Sequence, residues 1–301
     1  MSNPIRPEIP DLLALRPQAG GIRLHARRIG APLSGGHVST FRGRGMEFAE
    51  VRAYQPGDDT RDVDWRATAR RGKAYTKLYR EERERPVLLW VDLRAAQFFG
   101  TRGCYKAVQA ARLATLAAWA AHAQGDRIGG LVFCEREHRE IKPRRGKAAM
   151  LHFINRLATH PAWDRDYVTA IDEADKALTA ALERLLRVAL PGSLILLASD
   201  FHGLSPNHEA LLAQIGRHSD LVFLVTHDPL ESNPPAGRYW FDMGHAHERL
   251  LDTGDADTRA RWQGQFEAHF AQIDALGRRR QARVLRCATD ADPATLLARG
   301  L

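Results

Sequence analysis

The chain has 301 residues, of which 44% are hydrophobic and 27% are charged, a balance typical of a globular protein with a substantial core. The formal net charge of +8 allows attraction to nucleic acid, acidic lipid or an acidic protein surface. The longest apolar runs, such as residues 87–91, are much shorter than the roughly 20 residues of a membrane helix. The N-terminal residues carry prolines and charges where a signal peptide requires an apolar stretch. We therefore expect a cytoplasmic protein without a membrane span.

The first part of the chain, residues 1–85, is predicted to form a separate N-terminal segment. A short helix is expected within residues 11–30, and the alternating pattern of residues 74–80 predicts a strand. Between them lies a tract rich in arginine and aspartate, whose Pro-Gly-Asp-Asp sequence at 56–59 predicts a turn. The segment is therefore expected to be β-containing and to have a defined conformation.

From residue 86 to residue 301 the apolar patterns of strands and helices alternate. The predicted strands are 87–91, 127–134, 139–142, 194–198, 221–225 and 283–287. The predicted helices are 105–124, 150–157, 171–185, 209–217 and a long C-terminal helix with Trp262, Phe266, Phe270 and Ile273 on one face. This alternation predicts a doubly wound α/β domain with a mostly parallel sheet.

Two aspartates end apolar strands of this predicted sheet. Asp92 follows the first strand and Asp200 follows the strand at 194–198. Because ligands of doubly wound sheets bind at the carboxyl ends of strands, both side chains are expected at that edge. We also expect the two strands to be neighbours.

The arginine and aspartate tract is the candidate partner-binding surface. Its candidate residues are Arg42, Arg44, Arg52, Asp58, Asp59, Arg61, Asp64, Trp65, Arg66 and Arg70. They could present guanidinium groups and an aromatic anchor to a partner, or they could pair with one another and pin the segment to the sheet. Trp65 is expected to face the core or an interface. Arg44, which is flanked by two glycines, is the strongest candidate for binding.

The same residues carry a family resemblance. SGGHVSTFRGRGMEFAEVRAYQPGDDTRDVDWRATARRGK at 34–73 resembles the signature of the DUF58 family, and the likeness continues through YREERERPVLLWVD and LILLASDF to about residue 230. In that family the signature precedes a von Willebrand factor A-like (vWA) domain. The resemblance implies a partnership with a MoxR-type AAA+ ATPase, in which the protein acts as an adaptor or substrate-presenting component, and we expect a non-enzymatic interaction module.

The resemblance also implies a degenerate metal-ion-dependent adhesion site. Asp92 and Asp200 occupy its two aspartate positions and Thr169 its threonine position, whereas Arg94 and Ala96 stand where the motif has serines. An arginine about 4 Å from a cation costs roughly 4 kcal/mol for each unit of charge at an effective dielectric constant near 20. We therefore expect no metal. Arg94 either bridges the two aspartates or points to solvent.

The remaining motifs do not predict catalysis. The sequence has no GxxxxGK[ST] phosphate loop, no GxSxG elbow and no HExxH pair, so neither an enzyme nor a cofactor is expected. Cys104, Cys134 and Cys287 are far apart and are expected to be core residues. His245 and His247 are weaker metal-ligand candidates. Two alternatives stay open: binding of nucleic acid or phosphate by the arginine-rich tract, which the alternating charges disfavour, and a metal-dependent adhesion protein or enzyme.

Overall fold

A computed structural model describes residues 3–24, 46–55, 60–81, 85–166, 171–242 and 248–301. The chain divides into two compact units, one formed by Met1–Arg28 with Arg85–Leu301 and the other by Ile29–Glu84. This division differs from the predicted boundary after residue 85, because the N-terminal residues pack with the α/β unit. Leu12 is buried in its core, and the Trp119 indole donates a hydrogen bond of 3.2 Å to the Leu12 carbonyl.

The helices of the described residues alternate with strands along most of the chain. They are α1 (Ile9–Ala14), α2 (Trp65–Arg71), α3 (Lys106–Ala123), α4 (Lys147–Ala158), α5 (Ile171–Val188), α6 (Pro206–Ile215), α7 (Pro229–Ser232), α8 (Ala256–Arg280) and α9 (Pro293–Gly300). None of them is both long and apolar enough to pass through a bilayer. The first begins two residues before the range in which a short helix was predicted, and it ends at Ala14 because Pro17 follows and residues Arg16–Gly21 form a 3-10 turn.

The strands of the described residues form one large sheet and two hairpins. They are β1 (Met46–Ala53), β2 (Tyr75–Glu81), β3 (Pro86–Asp92), β4 (Arg127–Phe133), β5 (His138–Arg144), β6 (Leu194–Ser199), β7 (Asp220–His227), β8 (Arg238–Asp242), β9 (Glu248–Asp252) and β10 (Arg283–Ala288). The large sheet has the order β10-β7-β6-β3-β4-β5. All its neighbouring strands are parallel except β4 and β5.

The architecture confirms the predicted α/β fold with a mostly parallel sheet. Strands β3 and β6 pair directly, with Leu88 opposite Ile195, so the strands that lead to Asp92 and Asp200 are neighbours as predicted. Alternate residues of β3 enter two separate apolar cores, since Leu89 belongs to one and Trp90 to the other. The sheet is thus covered on both faces, and its carboxyl edge is left as the place for a site.

Two glycines allow β4 to approach both of its neighbours. A Cβ atom on Gly130 would lie 2.1 Å from the Leu89 carbonyl oxygen, and one on Gly129 would lie 2.7 Å from the Ile141 carbonyl oxygen. The register of the β4 and β5 pair shifts between Ile128 and Gly130. Larger residues here would force the strands apart.

In the second unit, the residues that the structure describes form the hairpin of β1 and β2, with helix α2 between the two strands in sequence. Asp64 begins the helix, and its carboxylate accepts hydrogen bonds of 3.0 Å from the Arg66 and Ala67 amides. Gly72, with φ of 67°, ends it in the left-handed conformation that favours glycine. The Thr68 hydroxyl accepts a hydrogen bond of 3.0 Å from the Tyr75 amide, which ties the helix to β2.

Candidate functional site at the carboxyl edge of the sheet

Asp92 and Asp200 lie side by side at the edge where β3 and β6 end. After β3 the chain continues to β4 on one side of it, whereas β6 lies on its other side, so the two strands flank the point where the winding changes direction. Ligands of open α/β sheets bind at such points. Both carboxylates are buried, which requires that each be paired.

Arg94 neutralises Asp92. Its Nη2 lies 2.8 Å and its Nε 3.1 Å from Asp92 Oδ2, and Nε also lies 3.0 Å from Oδ1. The Ser199 hydroxyl donates a further hydrogen bond of 2.7 Å to Oδ2. Burial disfavours the charge of Arg94, but the nearby carboxylates of Asp92, Asp200 and Glu135 together outweigh this effect and raise the pKa of Arg94.

The geometry of Arg94 departs from both predicted alternatives. The side chain is buried, so it does not point to solvent. Its other hydrogen bonds go to the Ala174 and His202 carbonyl oxygens, at 3.4 and 3.3 Å. Among the described hydrogen bonds of this edge, the Arg94 side chain donates to the Asp92 carboxylate, and a different cation donates to the Asp200 carboxylate.

That second cation is Lys106, the first residue of α3. Its Nζ lies 2.9 Å from Asp200 Oδ2 and 2.6 Å from Glu231 Oε1. Burial opposes the charge of both partners, yet their attraction prevails, so the pKa of Lys106 is raised and the pKa of Asp200 is held well below its usual value. The Glu231 Oε2 atom accepts a hydrogen bond of 2.7 Å from the Asp228 amide at the start of α7. Three separate segments thus meet at one ammonium group.

Two histidines cover the Asp200 side of this cluster. The His202 ring stacks on His269 with centroids 4.0 Å apart, and its Nδ1 lies 3.4 Å from Asp200 Oδ2. Burial disfavours charge on His202, but Asp200 outweighs it and raises the pKa of His202. Burial and the neighbouring His202 lower the pKa of His269, whose Nε2 donates to the Asp200 carbonyl oxygen at 2.8 Å.

A cleft of about 370 Å³ opens above the cluster. Its wall and floor residues are Ala96, Phe99, Lys106, Asp200, His202, Glu231, Trp262, Gln265, Phe266 and His269. A mainly apolar cleft with a few converging polar groups is the usual form of a binding site.

The structure separates the predicted site residues into two groups. Asp92, Arg94, Ala96 and Asp200 belong to the α/β unit, whereas Arg52, Arg61, Asp64, Trp65, Arg66 and Arg70 belong to the unit Ile29–Glu84. The predictions for Arg42, Arg44, Asp58, Asp59, Thr169, His245 and His247 fall outside the described residues.

Trp65 corrects one expectation about the tract. The side chain is 71% exposed on α2, so its predicted core-facing position is wrong. The reason is local, because Trp65 begins a short helix whose Ala67 and Thr68 are its less exposed residues. Asp64 acts as the helix cap, while Arg66 and Arg70 are exposed one helical turn apart.

Sequence reasoning missed Lys106 and Glu231. A signal for Lys106 was present, since it begins a helix, where the macrodipole disfavours positive charge, and the rest of that helix is rich in alanine. A lysine in that position is favoured when carboxylates lie nearby. The sequence around Glu231 carries no comparable signal, because the position of its side chain beside Lys106 depends on how α7 folds.

The cysteines are core residues, as predicted. Cys104, Cys134 and Cys287 are buried free thiols. Burial raises the pKa of Cys104, and it raises the pKa of Cys287 to about 12. Within the described ranges, no three histidine, cysteine, aspartate or glutamate side chains are grouped as metal ligands.

Comparison with known proteins shows which family the chain belongs to. Residues 50–272 match the family described as "Protein of unknown function DUF58". The chain belongs to the DUF58 family. Uncharacterized proteins of Mycobacterium bovis (Mb1516) and Mycobacterium tuberculosis (Rv1480) are each 29% identical to it over 209 residues. Each match covers 69% of this chain and 63% of the relative, so the chain spans less than two thirds of the length of those relatives.

Two solved structures resemble the chain at a distance. One is the conserved hypothetical protein BatB from Bacteroides thetaiotaomicron, with 12% identity and a TM-score of 0.40. The other is an aerotolerance-related membrane protein from Bacteroides fragilis, with 12% identity and a TM-score of 0.37. Each alignment covers 64% of this chain and 99% of the other. Likeness of this degree says nothing about the function of the DUF58 chain.

Proposed function

We propose that this DUF58 protein is a non-enzymatic, cytoplasmic interaction module with a vWA-like domain. In this proposal its metal-ion-dependent adhesion site is degenerate, and the protein serves as an adaptor for a MoxR-type AAA+ ATPase. One observation carries the proposal. The two carboxylates that such a site would use for a metal are each neutralised by a cation of the chain itself.

The residues at this edge do not fit a divalent metal. Asp92 accepts five hydrogen bonds, four of them from Arg94 and one from Ser199. The Asp200 carboxylate accepts hydrogen bonds from the Lys106 ammonium group and from the His202 amide. A dication would stand beside two fixed positive charges, which at about 4 Å costs several kcal/mol each at an effective dielectric near 20. Binding to this module is therefore expected to proceed without a metal.

The chemistry of these groups also supports a role without catalysis. A general acid or base works best when its pKa is near the working pH, whereas the pKa of Asp200 is held far below it by Lys106. The buried thiols Cys104 and Cys287 have raised pKa values and so lack the thiolate that a nucleophile needs. These groups are suited to holding a structure together.

A separate surface of the chain is suited to docking. Trp65, Arg66 and Arg70 are exposed on α2, which the Asp64 cap and Gly72 hold in a defined conformation. Tryptophan and arginine are the residue types that most often dominate binding energy at interfaces. Arg66 and Arg70 repel each other at i and i+4, which costs the helix roughly 0.2–0.5 kcal/mol until acidic groups of a partner lie against them.

The test uses two exposed tryptophans as a matched pair. Trp65→Ala is expected to weaken binding to the MoxR-type ATPase of the same organism more than about tenfold, because a hot-spot side chain contributes about 2 kcal/mol or more. Trp240→Ala, which removes a side chain 67% exposed on β8, is the control and should leave binding unchanged. Both variants should melt like the parent. Binding is measured by titration calorimetry with the purified ATPase in each nucleotide state.

The proposal fails if the parent protein does not bind the ATPase in any nucleotide state. If instead nucleic acid binds with a steep dependence on salt, and Trp65→Ala abolishes that binding, the arginine-rich tract is a nucleic-acid site.

A further inference from the structure

The cleft at the sheet edge carries a net negative charge. Asp92 and Arg94 cancel, while Asp200 and Glu231 together contribute two negative charges against the single positive charge of Lys106. The balance is one negative charge when His202 and His269 are neutral, and protonation of His202, whose pKa Asp200 raises, would cancel it. A divalent cation in place of Lys106 would have cancelled the charges of Asp200 and Glu231. The lysine therefore leaves an acidic site.

Glu231 is the most exposed of the carboxylates and of the arginine and lysine cations in this cluster. Its side chain is 18% exposed, compared with 3% for Lys106 and 2% for Asp200. Each of its oxygens accepts one hydrogen bond, from Lys106 Nζ and from the Asp228 amide. A carboxylate has about four acceptor positions, so Glu231 has about two left for a ligand.

Aromatic rings form the walls around this carboxylate. Phe99, Trp262 and Phe266 line the cleft, and the Trp262 indole is fixed by a hydrogen bond of 2.8 Å to the Glu231 carbonyl oxygen. The Lys106 ammonium already lies 5.8 Å from the centre of the Phe99 ring. Aromatic faces next to a carboxylate attract cations, whereas a partner carboxylate would be repelled by Asp200 and Glu231.

We propose that this cleft binds a cationic side chain, an arginine or a lysine, of the protein partner. The inference rests on the proposed function in one respect, that the ligand belongs to a protein. The cationic group lies against Glu231, and its aliphatic stem lies between Phe99 and Phe266. The cleft volume of about 370 Å³ suits one such side chain.

The first test compares probes of similar shape and different charge. N-acetyl-arginine methylamide is added to the full chain, and binding is followed by saturation-transfer NMR and by the imidazole signals of His202 and His269. It should bind at least tenfold more tightly than the neutral N-acetyl-citrulline methylamide. N-acetyl-lysine methylamide should also bind, and N-acetyl-glutamate methylamide should not. Equal binding of the citrulline probe, or tighter binding of the glutamate probe, would overturn the inference.

The second test locates the bound probe. Phe99→Leu keeps an apolar wall but removes the ring. It should weaken binding of the arginine probe several-fold and should change the melting temperature little. Glu267→Gln removes an exposed negative charge from the same helix as Phe266, outside the cleft, and should leave the affinity unchanged. If Glu267→Gln weakens binding as much as Phe99→Leu, the probe is held by general charge and the cleft assignment is wrong.

These assays contain no ATPase, so the two proposals fail separately. If the protein does not bind the ATPase but still binds the arginine probe more tightly than the citrulline probe, the proposed partner is wrong and the proposed cleft is supported. If the protein binds the ATPase but binds both probes equally, the proposed cleft is wrong and the proposed partner is supported.

Discussion

At the scale of single residues, Lys106 determines the charge of the sheet edge. The ammonium group is almost fully buried and serves carboxylates from two segments distant in sequence. A buried ion pair adds little net stability relative to an apolar replacement of the whole group, but removal of one partner leaves an uncompensated charge. The fold therefore depends on Lys106 more than on any surface lysine.

Lys106→Met is expected to lower the free energy of unfolding by about 3–5 kcal/mol, because Asp200 and Glu231 lose their shared counterion. Lys176→Met is the matched control, since Lys176 forms an exposed i, i+4 pair with Asp172 on α5. Its stability should match that of the parent, because solvent screens an exposed pair. Urea denaturation measures both. Equal costs for the two variants would show that Lys106 is not the essential counterion.

The residues also show what the sequence could reveal. Asp92 and Asp200 were predictable because each directly follows a continuous apolar strand, and parallel strands bring such ends together. The partner of each carboxylate was not predictable in the same way. From its position in the sequence, Arg94 could reach either aspartate. Only the packing of α3 against the sheet brings Lys106 close enough to form an ion pair with Asp200.

At the scale of elements, the turn after α4 depends on a neutral histidine. The His160 ring is buried, and its Nδ1 accepts a hydrogen bond of 3.2 Å from the Ala162 amide at the start of the 3-10 turn Pro161–Asp164. Burial, reinforced by the charge of Arg139, lowers the pKa of His160 to about 4. The turn is thus coupled to pH.

The sign of this coupling follows from the direction of the shift. The unfolded chain takes up the His160 proton near pH 6.5, whereas the folded chain resists it down to about pH 4. The stability contributed by His160 is present above pH 6.5 and is lost as the pH falls towards 4, by an amount on the order of 3 kcal/mol.

His160→Asn keeps an acceptor at the cap but cannot titrate, so its unfolding free energy should fall less between pH 6.5 and 4 than that of the parent. His152→Asn, at an exposed position of α4, should follow the parent curve. Denaturant titrations at closely spaced pH values give both slopes. Parallel curves for the parent and His160→Asn would show that the buried histidine does not control this pH range.

The elements differ in how far the sequence revealed them. Strands β3 and β6 and helix α8 were predicted from apolar runs and from the spacing of Phe266, Phe270 and Ile273. The hairpin of β8 and β9 was missed. Trp240 and Leu250, which pair across it, are large apolar side chains that lie exposed, so they do not follow the burial pattern on which the strand predictions depended. The packing of α1 into the larger core depends on contacts with α3 and α4, which lie far away in sequence.

At the scale of the whole molecule, the internal cations should make stability independent of divalent metals. Mg²⁺, Mn²⁺ or Ca²⁺ at millimolar concentration should barely raise the melting temperature. A ligand at 100 times its dissociation constant would stabilise the fold by about 2.7 kcal/mol, which is readily measured by calorimetry. A clear rise that Asp200→Ala abolishes would show that the edge binds a metal after all.

The antiparallel strand β5 has a consequence for how molecules meet at high concentration. It forms one border of the large sheet, and a border strand can template the addition of a foreign strand. Pro143 within it lacks an amide hydrogen, the exposed Lys142 and Arg144 flank the proline, and the shifted register against β4 disturbs the regular spacing of backbone groups. Prolines, flanking charges and register shifts are the features by which natural edge strands resist the addition of a foreign strand, so we expect this side of the sheet to resist cross-β aggregation.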